Sequence, residues 1–239
     1  MDTLAVNEIF LSLQGESTFA GVPCVFVRLT GCNLRCSYCD TAYAFSEGRA
    51  MPLGEIRAEV LRVAGGYGKP ARPIVEVTGG EPLLQKNSLA LMRMLCDEGF
   101  TVLIETNGAQ DISAIDPRVR RIMDLKCPSS GEAGRNRWEN VAHLKPTDEV
   151  KFVIGSVQDY EWAKEVLGRH GLAGICPVLF SWAEPLTRAQ QHPSLKAAPP
   201  GHQPISRREL AERILADALP VRFQVQLHKV IWPADARGV

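Results

Sequence analysis

Three cysteines, Cys32, Cys36 and Cys39, crowd into the run Gly31-Cys32-Asn33-Leu34-Arg35-Cys36-Ser37-Tyr38-Cys39-Asp40-Thr41. Thiolates spaced three and then two residues apart can all turn inward from one loop and grip one face of an iron–sulfur cubane. Three protein ligands on a [4Fe-4S] cluster leave one iron open. The amino and carboxylate groups of S-adenosylmethionine can chelate that iron, which brings the sulfonium beside an electron donor. A low-potential electron then breaks a carbon–sulfur bond; the protein places and tunes the cofactor, and the cofactor carries the chemistry.

The competing reading is a zinc knuckle in a non-catalytic protein, which needs a fourth ligand at short spacing. The next cysteine is Cys96 and the first histidine is His143, both far along the chain. A disulfide framework fits poorly, because the seven cysteines are odd in number. The start, Met1-Asp2-Thr3-Leu4, also lacks the basic and apolar regions of a secretory signal. A reducing, cytoplasmic setting follows, where a tight cysteine cluster means metal or redox chemistry. Cys24, Cys96, Cys127 and Cys176 read as buried small residues.

The elements that must position this loop alternate. Strands are predicted at Cys24–Thr30, Ile74–Thr78, Phe100–Glu105, Arg121–Leu125, Glu149–Ile154, Ile175–Phe180 and Val221–Leu227. Several are apolar almost throughout, as strands covered on both faces are. Between them Leu53, Ile56 and Val60 mark one helix face, stopped by Gly65-Gly66, and Leu89, Met92 and Leu95 another, stopped by Gly99. Gln158–Gly168 is a third helix. Ser206-Arg207-Arg208-Glu209 opens a fourth as a capping box, with Leu210, Ile214 and Leu215 facing inward.

Such alternation predicts an α/β fold: an incomplete (β/α) barrel of about six parallel βα units, one domain over residues 1–239. The cysteine loop follows the strand Cys24–Thr30 directly, where sites in such folds lie. Pro128–Pro146 reads as a long loop near the carboxyl edge of the sheet. Trp182–Pro204 carries five prolines and reads as an insert, either a lid or a surface excursion. The tail Trp232–Val239 either folds over the site or frays.

Composition narrows the partners. Lys plus Arg number 27 and Asp plus Glu 27, so a formal charge of zero gives no electrostatic reason to expect nucleic acid or an anionic membrane. No apolar run is long enough to span a bilayer.

The Cys-x3-Cys-x2-Cys loop, with Tyr38 before the last cysteine, resembles the radical S-adenosylmethionine (radical SAM) superfamily. Thr78-Gly79-Gly80-Glu81-Pro82 after a strand agrees with it, since glycines there let the backbone approach the methionine end of the cofactor. Ile104-Glu105-Thr106-Asn107-Gly108 ends the next strand at the same mouth. Within the superfamily, several segments resemble the 7-carboxy-7-deazaguanine synthase family. They are the opening Asn7–Glu16, Gly21-Val22-Pro23, Phe26-Val27-Arg28-Leu29, Asp40-Thr41 and Gln226-Leu227-His228-Lys229.

The resemblance implies conversion of 6-carboxy-5,6,7,8-tetrahydropterin to 7-carboxy-7-deazaguanine with release of ammonia, in queuosine and 7-deazapurine biosynthesis. It implies S-adenosylmethionine as a reusable cofactor, Mg2+, a homodimer, and an electron donor such as flavodoxin or ferredoxin. By the same resemblance Leu13, Gln14, Gly15, Arg28 and Thr78 contact substrate, with Arg28 forking the substrate carboxylate. Tyr38, Asp40, Gly80, Glu81, Lys126 and Ser181 contact S-adenosylmethionine, and Thr41 binds magnesium.

Bland alternatives stand beside these roles. Thr41 and Asp40 could cap a helix, Gln14 could serve a turn, and Arg28 could form an ordinary ion pair. His228 reads as a general base or, more simply, as a structural histidine at a strand end. Ser17 stands where the family carries glycine, and Leu125-Lys126-Cys127-Pro128 where it carries Ser-Pro-Lys. An activase making a glycyl radical on a partner protein would share the cysteine loop but needs no pterin pocket.

Overall fold

The computed structural model describes residues 2–67 and 71–239. Among these, nine strands form one sheet. A long first strand, β1 (Thr3–Leu13), runs antiparallel to β2 (Pro23–Leu29) on one side and to the short β3 (Arg49–Pro52) on the other. From β2 onward every neighbour is parallel: β4 (Ile74–Gly79), β5 (Val102–Thr106), β6 (Arg120–Asp124), β7 (Glu149–Ile154), β8 (Val178–Trp182) and β9 (Arg222–Gln224). The order is β3-β1-β2-β4-β5-β6-β7-β8-β9, and the two edges do not pair. This is the incomplete barrel that the alternation predicts.

Four helices cover the convex face: α1 (Leu53–Ala64), α2 (Asn87–Asp97), α3 (Val157–Arg169) and α4 (Arg207–Ala216). Their apolar faces and the outward residues of the strands, such as Val75, Val77, Ile104 and Phe152, make one core. Ser156 Oγ accepts from the Asp159 amide at 3.1 Å, and Ser206 Oγ from the Glu209 amide at 3.1 Å. Each cap satisfies a helix N-terminal donor, worth about 1 kcal/mol. The Ser206 box is only half formed: the Glu209 carboxylate accepts from Arg213 at 3.0 Å instead of reaching back.

Several expectations need correction. The opening segment is a full strand whose half-buried residues and mixed polar sequence hid its alternation. Leu215 is 78% exposed, because one residue on from Ile214 turns it about 100° out of the buried stripe. The strand predicted over Val221–Leu227 shrinks to Arg222–Gln224, and Leu227 instead opens a short helix, α5 (Leu227–Ile231). His228 therefore sits on a helix and not at a strand end. The loop at Pro128–Pro146 is wound into three 3-10 turns, with Trp138 and Val141 against the core. The β5–β6 and β6–β7 crossovers contain no α-helix.

The strands are not apolar on both faces. Toward the concave side Cys24, Ile74, Leu103 and Ile122 make a small apolar floor, with Phe10 stacked on Phe26 at 5.1 Å between ring centres. Farther along the same strands this face becomes charged.

Candidate active site

Side chains alternate across a strand, so the concave positions can be counted off in twos. β2 presents Cys24, Phe26 and Arg28; β4 presents Ile74, Glu76 and Thr78; β5 presents Leu103 and Glu105; β6 presents Ile122 and Asp124. Above the floor these residues line a cavity of about 560 Å3 that opens at the carboxyl ends of the parallel strands. Cys32, Cys36 and Cys39 line the same cavity from the loop after β2. Arg28 and Thr78 are register partners on β2 and β4, so they share one rung of its wall.

Glycines let the cysteine loop lie against the end of β4. A Cβ on Gly80 would overlap Gly31 O and come within 2.7 Å of Cys32 Cβ. Gly79, at φ +145, packs its α-carbon onto the Leu29 backbone in the same way. Side chains at either position would push the loop away from the strand.

The thiols are free, and burial pushes Cys36 up to about 11 and Cys39 up to about 12. At neutral pH they ionise only against bound positive charge, as metal binding provides. Among the described residues no three His, Cys, Asp or Glu side chains converge to hold a single ion. A four-iron cluster, in which three irons take one thiolate each, suits three thiols spread around a cavity. Tyr38 Oη and Asp124 Oδ1, both on cavity-lining residues, are buried without a partner. Unpaired buried polar atoms are costly, and a polar ligand in the cavity would satisfy them. The donor set therefore fits an iron–sulfur cluster with a polar cofactor beside it.

The expected contact residues gather here, with one exception. Leu13, Gln14 and Gly15 line the cavity from the end of β1, and Tyr38, Asp40, Thr41, Gly80, Lys126 and Ser181 from the rim. Glu81 does not. Its side chain is fully buried, accepting from the Leu83 amide at 3.0 Å, Thr106 Oγ1 at 2.9 Å and the Asn107 amide at 2.7 Å. It ties the end of β4 to the end of β5, which leaves the backbone of Glu81 for the expected contact with the cofactor.

Arg28 Nε pairs with Glu8 at 2.8 Å, and Tyr43 Oη donates to the same Glu8 oxygen at 2.9 Å. Arg28 and Tyr43 line the cavity, and the Glu8 carboxylate that both donate to holds the guanidinium in place. Thr41 makes no cap on the 3-10 turn Ala42–Phe45; its Oγ1 donates to Asp40 Oδ1 at 2.9 Å. Asp40 is likewise no cap. Lys229 Nζ lies 2.6 Å from its Oδ2, and Gln226 Nε2 donates at 3.2 Å. Burial alone would raise the Asp40 carboxyl, but Lys229 and Thr41 outweigh it and hold it well below the usual range.

Sequence reasoning missed an inner polar layer. Lys151 Nζ contacts Glu105, Glu16 Oε2 at 3.3 Å and Asp124 Oδ2 at 4.0 Å, while Lys126 Nζ contacts Asp124 Oδ2 at 2.7 Å. Gln14 Nε2 donates to Glu76, and Ser181 Oγ donates to Glu16 at 3.0 Å. Burial, then the negative charge of Glu105, raises the Glu76 carboxyl well above its ordinary range. The available signal was a charged residue at alternate positions inside apolar strands: Glu76, Glu105, Asp124 and Lys151.

The C-terminal tail folds over the mouth. Arg237 stacks 3.8 Å above the Tyr43 ring and pairs with Glu47 at 2.9 Å, and residues 234–239 line the cavity. Gln190 of the proline-rich segment donates to Ala234 O at 2.8 Å. That segment contributes lining residues from Ala183 to His192.

Comparison with known proteins agrees with this geometry. Residues 26–175 match the model of the Radical SAM superfamily. The chain is 44% identical over 238 residues to the 7-carboxy-7-deazaguanine synthase of Koribacter versatilis, covering 99% of this chain and 100% of that one. It is 45% identical over 239 residues to that of Chlorobaculum tepidum, covering 99% and 97%. In fold it is similar to the crystal structure of QueE from Escherichia coli, with a TM-score of 0.68 at 24% identity, over 95% of each chain. A radical SAM domain over more than half the length, with relatives this similar end to end, means that the chain belongs to the 7-carboxy-7-deazaguanine synthase family of the radical SAM superfamily.

Proposed function

We propose that the 560 Å3 cavity is where 6-carboxy-5,6,7,8-tetrahydropterin becomes 7-carboxy-7-deazaguanine and ammonia. Cys32, Cys36 and Cys39 hold a [4Fe-4S] cluster in this reading. Bound together there, the cluster and S-adenosylmethionine would supply radical hydrogen-atom transfer with the pterin ring.

This chain's own residues do the binding and steering. Arg28, kept in place by Glu8 and Tyr43, presents the rest of its guanidinium to the substrate carboxylate. Gln14 and Thr78, with the backbone of Leu13 and Gly15, face the polar edge of the pterin. The carboxylates beside Lys151 receive its N–H donors. Tyr38, Asp40, Gly80, the backbone of Glu81, Lys126 and Ser181 surround S-adenosylmethionine, and Thr41 offers one oxygen to Mg2+, which completes its shell with substrate and water. Residues 1–239 act as one radical SAM domain, with residues 182–204 as its insert. A cytoplasmic homodimer served by a flavodoxin or ferredoxin completes the reading; no helix among the described residues is long and apolar enough to cross a membrane.

The observation that carries this is the convergence of three cysteines with Arg28, Gln14 and Thr78 on one cavity. Anaerobic turnover of the carboxylated tetrahydropterin by the reconstituted protein, with and without magnesium, tests it. Deazapurine formation, faster with magnesium, is the expected result. Cleavage of S-adenosylmethionine without any deazapurine would overturn the substrate assignment. Cys36→Ala should lose iron and turnover together.

A further inference from the structure

The cysteine loop has no helix or strand of its own between Gly31 and Thr41. Something else must hold its backbone. Arg35, directly before Cys36, is gripped at both of its peptide groups. Its amide donates to Glu132 Oε1 at 2.7 Å, and its carbonyl accepts from the Lys196 amide at 2.9 Å. Lys196 Nζ in turn pairs with Glu132 Oε2 at 2.8 Å and donates to Gly131 O at 2.8 Å. The next alternate residue, Ser37, donates its amide to Ser130 O at 3.1 Å.

Glu132 is only 5% exposed, although it lies in a loop of 3-10 turns. Both its carboxylate oxygens are used, one on the cysteine loop and one on the proline-rich segment. A charge-assisted bond to an amide is about twice as strong as a neutral one. A buried carboxylate needs its lysine partner to stay charged. The prolines around Lys196 restrict that segment, so its end of the clamp loses little chain entropy.

We propose that Glu132 is a positioning residue for the cluster loop, and that the proline-rich segment serves it by supplying Lys196. The clamp orders the Cys32–Cys39 backbone before any iron arrives, so three thiols face the cavity together. This rests on the reading that those cysteines hold the cluster. It goes beyond that reading in giving the loop an external brace that touches neither substrate nor cofactor.

Hydrogen–deuterium exchange on the full-length, metal-free protein reads the brace directly. In Glu132→Ala and Lys196→Ala, peptides spanning residues 32–39 should exchange about tenfold faster, as loss of one charge-assisted hydrogen bond implies, while sheet peptides keep their parental rates. Glu132→Gln keeps an acceptor for the Arg35 amide and should restore most of the protection. After anaerobic reconstitution, iron release to a chelator should follow the same order: Ala fastest, Gln between, parent slowest. Unchanged loop exchange in Glu132→Ala would overturn the proposal. So would faster exchange throughout the sheet, which would make Glu132 a general stabiliser. The metal-free arm needs no cluster. Failure of the parent itself to take up iron would instead overturn the cluster reading and leave the result for the brace standing.

Discussion

Lys229 Nζ on α5 lies 2.6 Å from Asp40 Oδ2, one residue past the third cysteine, and bolts the C-terminal helix onto the rim of the cavity. The Lys229 side chain is 4% exposed and that of Asp40 25%. Removing the lysine leaves a mostly buried carboxylate unpaired. Lys229→Met should therefore cost about 3 kcal/mol, the lower end for a buried pair broken from one side, measured by urea unfolding of the metal-free protein. Because the native Asp40 carboxyl is held below its unfolded value, the pair's contribution is complete above the ordinary aspartate range and fades as pH falls below it. The gap between parent and variant should narrow in acid.

Gly15 tests the same closure from the opposite wall. A Cβ there would overlap His228 Nδ1, and the Leu227 amide donates to Gly15 O at 2.9 Å. Gly15→Ala should cost about 1–3 kcal/mol as an overpacked contact. Combined with His228→Ala, which removes the ring, the added cost should mostly vanish. A double-mutant cycle of melting free energies checks this, and simple additivity would contradict it.

Glu76 should make stability fall with pH. Its native carboxyl holds a proton over a range where the unfolded chain has already lost it. The native state thus binds more protons there, and unfolding free energy declines as pH rises above the ordinary glutamate range. Glu76→Gln keeps an acceptor for Gln14 and removes the titration. Melting of metal-free parent and variant should coincide near pH 5 and separate toward pH 9, with the variant higher. Each tenfold displacement of the proton equilibrium is worth about 1.4 kcal/mol, or roughly 3–6 °C in a chain of this size.

Ser17 adopts φ +64, a left-handed backbone that glycine enters without strain. Its Oγ accepts from the Phe19 amide at 3.1 Å. Ser17→Gly relieves about 1 kcal/mol of strain and loses a hydrogen bond of about the same size, so the change should be near zero. Ser17→Ala keeps the strain, loses the bond, and should cost about 1 kcal/mol. Chemical denaturation of both variants separates the two terms.

Much of this was legible along the chain, because it depends on neighbours in sequence. Helix faces such as Leu53, Ile56 and Val60, the Ser206 cap, and the strand before Cys32 follow from local periodicity and local hydrogen bonds. The parallel α/β class followed from the alternation of those elements, and the Cys-x3-Cys-x2-Cys spacing announced the chemistry. The burial of the Glu81 side chain and the strand character of β1 were not legible there, because their surroundings come from elsewhere. The carboxylate of Glu81 is spent on Thr106 and Asn107, and β1 is a strand because β2 and β3 flank it.

Only the tertiary structure could decide what shares the cavity. Lys151 meets Glu105 and Glu16, and Asp40 meets Lys229, across tens to hundreds of residues of chain. Such pairs leave no mark on spacing, since their energy comes from removing charges from water together once the strands are in register. Residue types and short intervals state which atoms can react; which of them face one another is settled by how the strands stack and where the tail comes to rest.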